Sequence, residues 1–94
     1  MVISELLWGD DRVAHIAKHR IAAEEFEEVC FGASLVLRSK AEGPNPVYQV
    51  LGRTDAGRYL LCVLVSFPDG RGYPVTAREM TAAEKQRYSR WKRT

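Results

Sequence analysis

Residues 59–67, Tyr-Leu-Leu-Cys-Val-Leu-Val-Ser-Phe, decide the fold because they are apolar at almost every position. An apolar run of this length predicts a central β-strand that is covered on both faces. Asp55-Ala56-Gly57 precedes the run and Pro68-Asp69-Gly70 follows it. Both tripeptides are typical of tight turns, because glycine accepts a positive φ and proline presets its own φ. The strand is therefore expected to lie between two short connections.

Outward from this strand, three further segments have the composition of strands. Residues 47–54 precede the first turn, residues 73–80 follow the second, and residues 34–39 precede a loop rich in proline and glycine at 41–46. Short connections between successive strands favour antiparallel pairing, so these segments predict an antiparallel meander. Because Pro74 has no N–H to donate, its strand is expected to begin at an edge or a bulge.

The N-terminal third predicts a strand and two helices. Residues 2–7 form an apolar run that predicts the strand. Asp10 is expected to cap a helix that continues to about His19, with apolar residues at spacings of three and four. A second helix is expected over residues 23–31, and Gly32 after it provides a stop.

The C-terminal segment begins with Thr81-Ala82-Ala83-Glu84, the pattern of a capping box. It predicts a helix that continues to about Arg93. With helices before and after the meander, the expected class is α+β: an antiparallel meander sheet with two N-terminal helices and one C-terminal helix. A chain of 94 residues fits one domain that spans residues 1–94.

Composition excludes several classes of protein. Apolar residues make up 46% of the chain, too many for a disordered protein. No apolar run approaches the roughly 20 residues that span a bilayer, and the N-terminus lacks the basic segment of a signal peptide. We therefore expect a cytoplasmic protein with no membrane partner. Cys30 and Cys62 lie in apolar stretches and are expected to be buried thiols, although the sequence leaves a disulfide open.

Charge is unevenly distributed along the chain. Residues 1–30 have a net charge of −4 and residues 31–94 a net charge of +6. The last ten residues include five cations and no acid. This pattern indicates either a polyanionic partner or a solvated helix whose C-terminal cations interact favourably with the helix dipole.

A series of short motifs is spread over residues 7–88. The motifs are Leu7-Trp8-Gly9-Asp10, Lys18-His19-Arg20-Ile21, Glu24-Glu25-Phe26, Leu51-Gly52-Arg53, Gly57-Arg58-Tyr59-Leu60, and Ala77-Arg78-Glu79-Met80-Thr81 followed by Glu84 and Tyr88. In order and spacing, these motifs resemble the BrnT family of bacterial toxins. At position 20 this chain has arginine where the family usually has glycine.

This resemblance implies a RelE-like fold and the activity of a type II toxin, a metal-independent RNA endonuclease that inhibits translation. It implies RNA as substrate, no cofactor, and a ribbon-helix-helix antitoxin as protein partner; a homodimer is a further expectation. The alternative is a non-catalytic module of the same fold that binds nucleic acid or protein. In a third hypothesis, the acidic second helix docks a basic protein.

Four residues are the candidates for catalysis. His19 is expected to act as base or acid, unless it only caps the end of its helix. Arg53 and Arg78 are expected to bind phosphate, because guanidinium groups match phosphate oxygens. Their alternatives are a solvated turn residue for Arg53 and a surface salt bridge for Arg78. Tyr88 is expected to stack on a base or donate a proton, or else to pack its helix onto the sheet.

Further cations are expected to extend an RNA-binding surface. Trp8 and Trp91 are interpreted as anchors that could also stack on bases. His15 and His19 have i, i+4 spacing but no third ligand, so we expect no metal site. If the first helix and Arg78 lie on opposite sheet faces, His19 cannot reach the arginines. The candidate RNA-binding residues are Lys18, Arg58, Arg71, Arg87 and Arg90.

Overall fold

The computed structural model describes residues 1–94 and confirms the α+β class. Three helices and five strands follow one another in the predicted order. In chain order they are β1 (Glu5–Leu6), α1 (Asp10–Ala17), α2 (Ala23–Phe31), β2 (Leu35–Arg38), β3 (Val47–Arg53), β4 (Tyr59–Ser66), β5 (Arg71–Glu79) and α3 (Ala82–Lys92).

All five strands belong to one sheet, in the order β1-β5-β4-β3-β2. Strands β2 to β5 form the predicted antiparallel meander. Strand β1, for which the sequence predicted no partner, pairs in parallel with β5 and is only two residues long. Gly72 of β5 allows this segment to approach closely, because a Cβ there would lie 3.1 Å from the Leu6 side chain and 3.3 Å from that of Ile3. The side chains of this segment pack directly on the backbone of β5.

Strand β4 lies at the centre of the sheet and is covered on both faces, as predicted. Leu60, Cys62 and Leu64 alternate with Leu61 along the strand and are all buried. The first three belong to the larger core cluster, whereas Leu61 belongs to a smaller one.

The larger cluster lies between the sheet and helices α1 and α2, on what we call the helix-pair face. It contains 11 buried residues, among them Ile16, Phe26 and Val29 of the two helices. The other side, the α3 face, has a cluster of only four buried residues, Leu51, Leu61, Met80 and Tyr88. The two cysteines are buried and free, and contact with Cys30 together with burial raises the pKa of Cys62.

Several local predictions hold with small shifts. Gly57 and Gly70 have φ values of 97° and 89°, as their turns require. The register of β4 and β5 shifts between Val63 and Leu64, beside Pro74, so the proline lies at a bulge. Thr81 and Glu84 form the predicted capping box.

Both ends of α1 differ from the prediction. Gly9, not Asp10, is the N-cap, and the helix ends at Ala17 rather than near His19. The chain leaves it through Arg20, whose φ of 61° lies in the left-handed region. At the end of α2, Gly32 stops the helix with an extended backbone, because a Cβ would lie 2.6 Å from the Glu28 carbonyl oxygen.

None of the three helices has the length and apolar composition needed to cross a membrane.

Candidate nucleic-acid interface

Helix α3 is attached to the sheet mainly through one tyrosine. Tyr88 is the only buried residue of the helix, with 2% of its surface exposed. Its hydroxyl donates a hydrogen bond of 2.9 Å to the Ala33 carbonyl, and its ring lies 6.2 Å from that of Tyr59 in an edge-on arrangement. Tyr88 therefore fixes the position of α3 above the ends of β3 and β4. This is the packing role that the sequence left open for it.

Cations surround this pair of tyrosines. The Arg53 guanidinium carbon lies 5.8 Å and the Lys85 amine 5.7 Å from the centre of the Tyr59 ring. The Lys92 amine lies 5.8 Å from the centre of the Tyr88 ring. Such cation–π contacts hold a cation near an aromatic face without neutralising its charge.

An open cleft of about 320 Å³ lies between α3 and the β3–β4 hairpin, and a second hollow of about 370 Å³ continues along the outer side of the helix. Both are lined mainly by basic and hydroxyl side chains. The first is lined by Arg53, Tyr59, Tyr88, Ser89, Lys92 and Arg93, and the second by Lys85, Gln86, Ser89, Arg90 and Arg93.

We define the α3 basic surface as Arg53, Lys85, Arg90, Lys92 and Arg93. None of these five cations makes an ion pair in the structure. A surface of unpaired cations around an aromatic floor attracts anions, and extended polyanions most strongly.

Arg78 lies on the same face but its charge is already paired. It aligns with Leu61 across the sheet, on the side opposite its buried neighbour Ala77, as the alternation of β5 predicts. Its guanidinium donates two hydrogen bonds of 2.8 Å to the carboxylate of Glu84. This arginine lowers the pKa of Glu84 to about 2, and the carboxylate raises the pKa of Arg78. Arg78 thus joins β5 to the first turn of α3.

His19 lies beside β5 and does not meet these residues. It follows α1, whose buried Ile16 packs on the helix-pair face. The imidazole rings of His15 and His19 lie 5.9 Å apart, and His15 Nε2 lies 3.2 Å from Thr76 Oγ1 of β5. Arg53 lies on β3, with β4 between it and β5, and His19 makes no hydrogen bond with Arg53 or Tyr88. No group of three or more His, Cys, Asp or Glu side chains is placed to share a metal ion.

Of the other candidate cations, only Arg87 and Arg90 lie on α3, and both are exposed. Lys18 is exposed at the end of α1, on the helix-pair face. Arg71 pairs with Asp69 at the start of β5, roughly 23 Å from Arg78 at about 3.3 Å per strand residue. With Arg58 on the β3–β4 hairpin, the proposed RNA-binding set is therefore divided among four places.

Arg58 is occupied in an internal network. One of its amino groups donates hydrogen bonds of 2.9 Å to both oxygens of Glu25 and to the Arg20 carbonyl, and the other reaches Glu79 at 3.3 Å. Hydrogen bonds from the Ala22 N–H and Arg58 hold the pKa of Glu25 below its usual value, although burial opposes the shift. Arg58 joins the β3–β4 hairpin to the start of α2.

The acidic helix α2 uses three of its four glutamates internally. Glu25 pairs with Arg58, Glu27 accepts from the Trp8 indole at 3.3 Å, and Glu28 accepts from the Asp55 N–H at 3.0 Å. Among the four, only the Glu24 carboxylate accepts no hydrogen bond from another part of the chain. The acidic face therefore offers less charge to a basic partner than its sequence implies.

Sequence reasoning assigned no role to Tyr59, and it indicated Lys85, Lys92 and Arg93 only collectively, through the positive charge of the last ten residues. Lys85, Tyr88 and Lys92 follow one another at spacings of three and four, which places them on one side of a helix. That spacing was a usable signal. The position of Tyr59 beside Tyr88 depends on how α3 packs and had no local signal.

Neither the known protein families nor the curated proteins gave a match to this chain.

Proposed function

We propose that the protein is an RNA-directed toxin of the BrnT type, a metal-independent ribonuclease whose substrate lies along the α3 basic surface. The observation that supports this most is the group of unpaired cations around Tyr59 and Tyr88. These cations are concentrated on one helix and one hairpin and make no ion pair, although Glu28 and Asp55 line an adjoining hollow with Arg53 and Lys92.

The proposed chemistry is attack of the ribose 2′-oxygen on the adjacent phosphorus. The 2′-hydroxyl proton passes to water, the bond to the 5′-oxygen breaks, and that oxygen takes a proton from water, which leaves a 2′,3′-cyclic phosphate and a free 5′-hydroxyl. Charge accumulates on the phosphorane oxygens in the transition state, and preorganised cations stabilise that charge. Arg53 and Lys92 line the cleft from opposite sides and are the groups we assign to this role.

Three features of the fold agree with the BrnT resemblance. Trp8 and Phe26, from two of its motifs, pack edge to face with their ring centres 5.3 Å apart. Gly52, which belongs to a third motif, lies so close to α2 that a Cβ at this position would be 2.9 Å from the Val29 side chain. Arg20 has a positive φ. The glycine that the family usually has at this position adopts a positive φ without strain.

A second candidate function is RNA binding without cleavage. Neither histidine contacts a cation of the α3 basic surface, and the Tyr88 hydroxyl is bonded to Ala33. The interface thus has cations for phosphate but no group that titrates near neutral pH unperturbed and could move the 2′-hydroxyl proton.

The test is incubation of the purified protein with a single-stranded RNA in EDTA, followed by analysis of the product ends. We expect cleavage to cyclic-phosphate ends by the wild type, and its loss in the Arg53→Gln/Lys92→Gln double variant. The matched control is Lys40→Gln/Arg71→Gln, which removes the same charge at the opposite end of the sheet and should cleave normally.

Binding without cleavage by the folded wild type would establish the second candidate instead. If the folded wild type neither binds nor cleaves the RNA, both candidate functions are overturned. The antitoxin remains part of the proposal: growth inhibition on expression should be relieved by a ribbon-helix-helix protein encoded beside this chain, and not by an unrelated protein of that fold.

A further inference from the structure

Trp91 is an exposed indole in the most basic part of the chain. It has 38% of its surface exposed, whereas Trp8 is packed against Phe26 and bonded to Glu27. Its ring lies beside that of Tyr88, with 5.8 Å between the ring centres and 34° between the planes. Because Tyr88 is buried and hydrogen-bonded to Ala33, the indole has a fixed neighbour on one side, and part of its surface remains open to solvent.

Cations without acidic partners surround this indole along the helix. Arg87 lies one turn before it on the same side of α3, and Arg90 and Lys92 flank it in sequence. The resemblance to a toxin family ends at residue 88, so Trp91 belongs to a part of the chain on which that likeness has no bearing. The core does not need this tryptophan, since neither buried cluster includes it.

We propose that Trp91 is a stacking platform for an unpaired base, and that it makes the α3 basic surface selective for single-stranded over double-stranded RNA. The inference rests on the proposed function, because it concerns the same RNA on the same helix. An indole beside cations is the combination with which proteins bind single strands: the base stacks on the ring while phosphates contact the cations.

The selectivity follows from what each form of RNA can offer. A base in a duplex is already stacked and paired, so only its phosphates are available to α3. An unpaired base can leave its neighbours and cover the exposed indole. Cations alone bind both forms through phosphate, so any preference for single strands that depends on position 91 measures the stacking contact.

The experiment uses the full chain and a 2′-O-methyl oligouridine 12-mer, alone or paired with 2′-O-methyl oligoadenosine. The methyl group blocks the 2′-oxygen, so cleavage cannot consume the probe. Affinities of wild type, Trp91→Ala and Trp91→Phe are measured by fluorescence anisotropy of the labelled RNA. We expect Trp91→Ala to bind the single strand about ten-fold more weakly, to bind the duplex unchanged, and Trp91→Phe to recover part of the loss.

A second readout separates stacking from a general loss of structure. The Trp8→Phe variant retains Trp91 as its only indole, and the Trp91→Phe variant retains Trp8. Single-stranded RNA should quench the fluorescence of the first variant and leave that of the second unchanged. Circular dichroism of each variant confirms that the fold is retained.

The outcomes distinguish the inference from the proposed function. If the wild type binds RNA but Trp91→Ala weakens both forms equally or neither, and Trp91 is not quenched, the stacking platform is overturned and RNA binding stands. If the folded wild type binds neither form, the proposed function fails, and the inference fails with it.

Discussion

The two faces of the sheet differ in what their side chains are used for. On the helix-pair face, 11 buried residues form the main core, and three of the four glutamates of α2 bond to other parts of the chain. On the α3 face only four residues are buried, and the cations of α3 have no acidic partners. The face that contributes less to the core thus carries the unpaired positive charge. Stability and proposed function can therefore be perturbed separately.

Removing a large side chain from the helix-pair face should have the largest effect. Phe26 is fully buried, so Phe26→Ala is expected to lower the free energy of unfolding by about 3–5 kcal/mol. Chemical denaturation measures the loss. Phe31→Ala in the same helix is the control, because Phe31 is 50% exposed and its truncation should change stability by less than about 1 kcal/mol. Equal losses from both variants would contradict the assignment of the core to this face.

Tyr88→Phe tests whether the α3 face uses this hydroxyl for packing or for chemistry. The change removes the bond to the Ala33 carbonyl and retains the ring. We expect a loss of about 1 kcal/mol in unfolding free energy, with RNA affinity and any cleavage within two-fold of wild type. An inactive variant of undiminished stability would mean that the hydroxyl takes part in the reaction.

The ion pair of Arg78 with Glu84 predicts a pH dependence. Because the pKa of Glu84 falls from 4.5 to about 2 on folding, the carboxylate stabilises the protein above pH 4.5, and this contribution is lost as the pH falls towards 2. Glu84→Gln preserves the cap but not the charge. At pH 7 the free energy of unfolding of the wild type should exceed that of Glu84→Gln by about 1 kcal/mol, a modest difference because the ion pair is partly exposed. The free energies of unfolding of the two proteins, measured by denaturation at each pH, should converge near pH 2. A difference that stays constant with pH would argue against the ion pair.

The smallest expected effect has the opposite sign. Arg20 has a φ of 61°, a conformation that costs a non-glycine residue about 1 kcal/mol. Arg20→Gly should therefore raise the free energy of unfolding by about 0.5 kcal/mol, after the extra chain entropy of glycine is counted. Thermal denaturation of the two proteins side by side measures it, with Arg12→Gly, a helical position, as a destabilising control.

Local signals predicted most of the fold. The capping box at Thr81 and Glu84, the glycines of the turns and the apolar run of β4 all depend on residues close together in sequence. The parallel pairing of β1 was missed because it joins Leu6 to Gly72, and only the missing Cβ of that glycine makes the approach feasible.

The candidate site was less accessible from sequence. Alternation along β5 placed Arg78 on the correct face, but it could not show that Glu84 occupies its guanidinium. In the same way, Arg58 looked available until its contacts with Glu25 and Glu79 were known. A charge can be counted from sequence, whereas whether it is paired depends on tertiary contacts. That difference decides which arginines remain unpaired.

The salt dependence of RNA binding tests the central claim most directly. Affinity for the 2′-O-methyl 12-mer is measured over a range of salt concentrations for wild type, Arg53→Gln/Lys92→Gln and Lys40→Gln/Arg71→Gln. The slope of log affinity against log salt is negative, and each phosphate contact with a single strand contributes about 0.7 to its steepness. If the α3 basic surface binds the phosphates, the slope of Arg53→Gln/Lys92→Gln should therefore be less steep than that of the wild type by about 1.4. The second variant should retain the wild-type slope. Equal slopes in all three proteins, or equal losses in the two variants, would contradict the account.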